Sequence, residues 1–432
     1  MAQFTPPSSI LIVGSGAFGL STAHALCHRP RFDQTKITVL DRAAFPASDG
    51  SSIDTSRIIR ADYSDPAYAS LAAEAQTLWR GEWGGEGRYS DSGLVLTAEE
   101  GSEDYVRKSF ENVKGLDVGS DKVKELRSPE EIRKIAATGG GSGIWGYVNH
   151  RSGWADAEAA MRYTRERVAA HNRVTFRTGA VEHLVFEGSD VTGVKLRSGE
   201  VLMADLTILA TGAWTPRLID LRGRATATGQ VLAYMNITAE EQARLEKMPV
   251  QFNMSSGMFI IPPRNKLLKV ARHGYGYRNP QYFPHPIDRG EQIEASVPLT
   301  HIDDPTQSIP KEGEETCRRC VKEMIPELQH RPFSFTRLCW YTDTPTADFI
   351  ITYHPAHGGL FLATGGSGHG FKFLPIIGEK IVDAVEGSTP HEFRERWAWP
   401  KETVGMLNTE DGSRGGKRGM VLKEEMRKGS RL

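Results

Sequence analysis

The segment Ile10-Leu-Ile-Val-Gly14-Ser-Gly16-Ala-Phe-Gly19 constrains this chain more than any other feature. An apolar strand runs straight into G-x-G-x-x-G, a helix over 20–26 follows, and a second strand over 37–40 ends in Asp41. Gly14 makes the tight turn, Gly16 lets the backbone approach a pyrophosphate, and Gly19 allows close helix–strand packing. The helix would then turn its positive dipole end toward phosphates. Asp41, 22 residues after Gly19, is placed to accept from a ribose hydroxyl. The pattern predicts a Rossmann unit holding a dinucleotide.

One such unit accounts for a fraction of 432 residues, and a chain of this length exceeds what one core supports, so a second domain is expected. Hydrophobic residues make up 39% and charged residues 25%, ordinary for a soluble globular protein. A net charge of −1 gives no reason to expect a nucleic-acid or anionic-membrane partner. No apolar run approaches the roughly 20 residues of a membrane helix, and residues 1–9 lack signal-peptide character. Four scattered cysteines exclude a disulfide framework and point to a reducing, intracellular compartment. The Cys317-Arg-Arg-Cys320 pair lies in a charged helical stretch over 314–325 with no second pair nearby, so no metal site is expected.

Helices are expected over 66–83, near 128–136, and over 156–171. Strands are expected over 89–97, 144–149, 174–177, 181–186, 191–196 and 206–210. The region 225–298 reads as mainly β, followed by strands over 333–341, 349–353 and 360–363. Residues 368–387 supply a Gly-rich turn and a closing helix. The chain beyond 410 is polar and Gly-rich and reads as disordered.

Two downstream segments favour FAD over NAD. Thr207-Ile-Leu-Ala-Thr211-Gly212-Ala-Trp214 is an apolar strand running into a Gly turn, similar to the A-T-G segment of FAD-dependent oxidoreductases. Ala363-Thr-Gly365-Gly366-Ser-Gly368-His-Gly370 is a second Gly-rich turn. It would bring a helix N-terminus to the edge of a flavin that becomes negative on reduction.

With Ser52-Ile-Asp-Thr-Ser-Arg57-Ile-Ile-Arg60, Cys339-Trp-Tyr341-Thr-Asp-Thr and Gly368-His369-Gly-Phe-Lys372-Phe in this order, the chain resembles the FAD amine oxidases. These are the sarcosine oxidases, fructosyl-amino-acid oxidases (amadoriases) and pipecolate and saccharopine oxidases, and the match runs over about 8–397. The resemblance implies an α/β fold of the glutathione-reductase-like, DAO type. A Rossmann-type FAD domain (8–90, 151–222 and 339–390) would join a mainly antiparallel substrate domain (91–150, 223–338 and 391–409), with a flexible tail at 410–432. It implies FAD held covalently through Cys339, with Ser52, Val181, Gly212, Gly366, Gly368 and Lys372 also at the cofactor. Arg57 and Lys269 would sit beside the flavin, Lys269 promoting reaction with O₂. Arg60 and Lys372 would hold a substrate carboxylate, His273 would contact substrate, and Tyr341 and His369 would line the cavity.

The activity implied is hydride transfer from an amine to flavin, an imine that hydrolyses or cyclises, and reduction of O₂ to H₂O₂ by a monomer. Arg57 and Arg60 resemble the sarcosine, pipecolate and saccharopine oxidases, whereas amadoriases carry lysine at the first position and no arginine at the second. Cys339-Trp340, Phe333-Ser-Phe and Phe373-Leu-Pro375 read instead like the fungal amadoriases. The expectation is therefore a secondary amine in an N-substituted or cyclic amino acid. A glycated amino acid is the alternative, as is a natural-product amine oxidase or a dehydrogenase with another electron acceptor. The ending Ser430-Arg431-Leu432 resembles the Ser-Lys-Leu peroxisomal address, which implies a peroxisomal import receptor as partner.

Overall fold

The computed structural model describes residues 4–116, 122–405 and 407–429. Six strands form one sheet in the order Ile350–Tyr353, Leu360–Thr364, Leu206–Leu209, Ser9–Val13, Lys36–Asp41 and Val174–Thr178. All pairings are parallel except that of Ile350–Tyr353. Ile10, Leu11, Ile12 and Val13 are all buried, as a strand covered on both faces requires. Helices Ala17–His28, Ala157–Ala170 and Ile377–Val385 contribute to the core on one face. A three-stranded meander, Val181–Glu187, Asp190–Leu196 and Val201–Met203, covers the other.

The second sheet has ten strands. Its centre is Thr226–Asn236, paired antiparallel with both Leu267–Arg272 and Phe335–Asp343, in register Tyr234 with Lys269 and Gln230 with Cys339. Strand alternation decides which residues meet the cofactor domain. Leu268, Val270, Leu338 and Trp340 point into the core under helix Lys311–Met324, where Cys317 and Cys320 are also buried. Lys269, Cys339 and Tyr341 point the opposite way, toward a cavity between the sheets.

Three expectations change. Phe335–Asp343 belongs to the ten-stranded sheet, so Cys339 stands on the second domain and the chain re-enters the first sheet at Ile350. Phe393 and Trp397 pack in the core of the first domain, and Trp397 O accepts from Ile351 N at 3.0 Å, so 391–397 does not belong to the substrate domain. The tail is folded through Gly429: Met420–Val421 pairs with Tyr277–Arg278, and the amphipathic helix Leu422–Gly429 lays Leu422 and Met426 against the second core. Its polar composition looked solvated because the buried partners of its polar groups lie far away in sequence. Ser430, Arg431 and Leu432 lie outside the described residues. Helix Asp104–Gly115, absent from the expectation, buries Tyr105, Val106, Ser109 and Val113.

Candidate active site

A cavity of about 440 Å³ runs from the end of the first sheet to the inner face of the second. At one end the loop after Ser9–Val13 has no room for side chains. Gly14 holds φ +109°, and a Cβ there would lie 2.4 Å from Ala210 O. A Cβ on Gly19 would lie 1.9 Å from Gly14 O. Gly19 therefore shapes the loop from behind, while Gly14 and Gly16 form the wall. Asp41 accepts from both the amide and the hydroxyl of Ser15 through Oδ2 at 2.7 and 2.6 Å, which leaves Oδ1 for a ligand hydroxyl. Ser52 Oγ takes the Ala17 amide at 2.9 Å, and the N-cap residue of the helix that begins at Ala17, Gly16, brings no side chain of its own. Val181, Gly212 and Gly366 line the same passage. Gly368 (φ +66°) has no alternative, because a Cβ would lie 2.3 Å from the Tyr341 ring.

The far end is cationic, and Asp54 organises one half of it. Its Oδ2 accepts from Lys269 Nζ at 2.6 Å and from Arg57 Nη1, and Arg337 lies 3.7 Å away. Its Oδ1 accepts from Tyr234 Oη at 2.6 Å. Burial would raise this carboxyl, but Lys269, Arg57 and Arg337 together hold it well below the ordinary range. Lys269 is 3% exposed and donates also to Ser56 O at 2.8 Å. Burial lowers its pKa to about 8, with Asp54 opposing and Arg57 reinforcing the shift. Arg57 Nη2 reaches Ser51 O at 2.5 Å and the buried Cys339 Sγ at 3.7 Å. Arg57, Lys269 and Cys339 thus converge on the cavity as expected, while Asp54, Arg337 and Tyr234 were missed. Asp54 was legible in principle, as the single acid in a segment whose two arginines turn inward.

The other half is an aromatic cage around Arg60. Its guanidinium lies 4.9 Å from the Tyr63 ring centroid, 5.8 Å from Phe252 and 6.0 Å from Tyr105. Nη2 meets Tyr105 Oη at 3.5 Å, but Nη1 is buried with no hydrogen-bond partner. Lys372 donates to Tyr63 Oη at 2.8 Å and His369 O at 3.0 Å. Burial, and then Arg60, push its pKa well down. His369 lines the cavity as expected, but not with its ring nitrogens. Tyr63 Oη lies 2.9 Å from Nδ1 and Ala347 O lies 2.8 Å from Nε2, so both ring nitrogens are engaged. The ring offers the cavity only carbon atoms and holds Tyr63 in place. His273 and Tyr341 both line the cavity, 3.4 Å apart at Nδ1 and Oη.

The donors present fit FAD. A glycine loop that a Cβ would fill, an acid with a free oxygen at the ribose position, and cations with a thiol at the far end suit a dinucleotide whose ring becomes anionic.

The family model for FAD dependent oxidoreductases (DAO) matches residues 9–384. Amino acid oxidase imqH of Aspergillus flavus is 34% identical over 88% of this chain and 93% of its own. L-saccharopine oxidase of Schizosaccharomyces pombe is 29% identical over 91% of this chain and 93% of its own. The crystal structure of the deglycating fructosamine oxidase Amadoriase II of Aspergillus fumigatus superposes with a TM-score of 0.80 at 31% identity, covering 96% of this chain and 95% of that one. The chain belongs to the DAO family of FAD-dependent oxidoreductases.

Proposed function

We propose that this enzyme oxidises the secondary amine of an N-substituted or cyclic amino acid, with O₂ as electron acceptor and H₂O₂ as product. The unpartnered Arg60 Nη1 carries this reading. A buried donor with nothing to donate to is costly unless a ligand supplies the acceptor. A planar guanidinium in an aromatic cage suits a carboxylate, and Lys372 stands in the same cavity wall to share it. Bound FAD supplies the two-electron acceptor. The protein's part is to anchor the carboxylate, exclude water, and keep the amine neutral, which neighbouring cations favour by lowering its pKa. Lys269, a buried ammonium, stabilises negative charge developing on oxygen, and His273 and Tyr341 offer polar groups beside the amine. Cys339 is the site of covalent attachment for the flavin. The product's toxicity and the terminal Ser430-Arg431-Leu432 support a peroxisomal location.

A peroxidase-coupled screen tests the reading with sarcosine, pipecolate, saccharopine and fructosyl-lysine, each beside an analogue lacking the carboxylate. Arg60→Gln is expected to weaken binding of the carboxylates by about 2–5 kcal/mol. The decarboxylated analogues, poor substrates from the start, are expected to lose little more. Equal losses for both sets would refute the carboxylate clamp. Preference for fructosyl-lysine would select the glycated alternative, which the similarity to Amadoriase II supports.

A further inference from the structure

Arg414 belongs to the stretch expected to be a loose tail, yet its side chain is wholly enclosed. Nη2 donates to Asp343 Oδ1 at 2.7 Å and to Ser367 O at 2.8 Å. Nη1 lies 3.2 Å from His273 Nδ1, and the guanidinium carbon lies 5.4 Å from the Tyr341 ring centroid. Backbone pairing fixes the segment against the same histidine: Gly415 N donates to His273 O, and Tyr275 N to Gly415 O, each at 3.2 Å. A Cβ on Gly415 would lie 2.2 Å from the Ser256 carbonyl carbon, so this approach depends on glycine.

A guanidinium carries donors only. The contact therefore makes His273 Nδ1 an acceptor and places the ring proton on Nε2, which has no protein partner among the described residues. Tyr341 Oη, 3.4 Å from the same Nδ1, could donate or accept and so cannot fix the tautomer alone. We propose that Arg414 is a positioning residue that locks His273 as an Nε2–H donor toward the substrate cavity, making the C-terminal segment part of the active site.

The electrostatics agree. Burial first, then Arg414, Arg60, His369 and Lys372, hold His273 well below the usual imidazole range. Tyr341 and the edge-on Phe252 ring pack against it, and the carboxylate of Asp343 is engaged by Arg414 and Thr228. His273 therefore donates as a neutral ring.

The test uses the full-length, flavin-loaded enzyme with ¹⁵N-labelled histidine, His273 being assigned through His273→Asn. Ring ¹⁵N spectra report the tautomer without substrate, so this arm stands apart from the amine-oxidase reading on which the kinetic arm rests. Wild type is expected to show only the Nε2–H form between pH 6 and 9 (about the range in which a free imidazole becomes neutral). Arg414→Met is expected to mix tautomers, raise the His273 pKa, and lower kcat about tenfold with KM nearly unchanged. Arg414→Lys keeps a donor-only cation and is expected to retain the Nε2–H form and most of kcat. Unchanged His273 spectra in folded Arg414→Met overturn the proposal. So does a Lys variant as impaired as Met but with wild-type spectra. A loss confined to KM for carboxylate-bearing substrates also overturns it, since Arg414 would then be a substrate ligand.

Discussion

Replacing Asp54 by asparagine keeps the shape of the side chain and removes the one negative charge among Lys269, Arg57 and Arg337. The pairs are buried, so solvent does little to screen what remains. Breaking such a pair by removing one partner costs about 3–5 kcal/mol. Unfolding entropy of roughly 2.1 cal/mol/K per residue converts this to a fall of about 3–6 °C in melting temperature for a chain of this length. The pH dependence identifies the cause. Asp54 has a depressed folded-state pKa, so its contribution is fully present above the unfolded value of about 3.9 and is lost as pH falls toward the folded one. Differential scanning fluorimetry of wild type and Asp54→Asn at matched flavin content should show a gap between pH 8 and 5 that shrinks below about 4. A gap under about 1 °C, or one that persists unchanged into acid, would refute the charge argument.

Lys269 has the opposite pH signature. Its folded pKa of about 8 lies below the unfolded value, so the unfolded chain binds more protons above pH 8 and stability should rise with pH there, by about 3 kcal/mol in all. Urea titrations at several alkaline pH values should show that rise in wild type but not in Lys269→Met; parallel curves would exclude Lys269 as its source. In stopped-flow work Lys269→Met should slow reoxidation of reduced enzyme by O₂ far more than reduction by substrate, and equal effects would return Lys269 to a structural role. Acid-denatured wild type should keep its yellow colour on the polypeptide while Cys339→Ala releases it; free FAD recovered from wild type would exclude the covalent link. A fluorescent protein fused before Ala2 should appear in peroxisomal puncta and become diffuse without Ser430, Arg431 and Leu432, and an intact fusion that is already diffuse would exclude the signal.

The sequence by itself determined the cofactor loop and its strand, because Gly14, Gly16, Gly19 and Asp41 act within one local strand–turn–helix unit whose sterics are written in residue order. It also marked Arg57, Arg60, Lys269, Cys339 and Lys372, which stand in segments similar to a known family and all reach the cavity. Only tertiary structure decided how those charges are balanced. Asp54 meets Lys269 across 215 residues, and Arg414 meets His273 across 141, so no spacing rule links them. It also decided that His369 spends both nitrogens on Tyr63 and Ala347, and that a polar, glycine-rich C-terminus is folded. The physical reason is common to all four. A polar residue's fate depends on whether a partner is waiting where water is excluded, and in this chain those partners arrive from strands and loops remote in sequence.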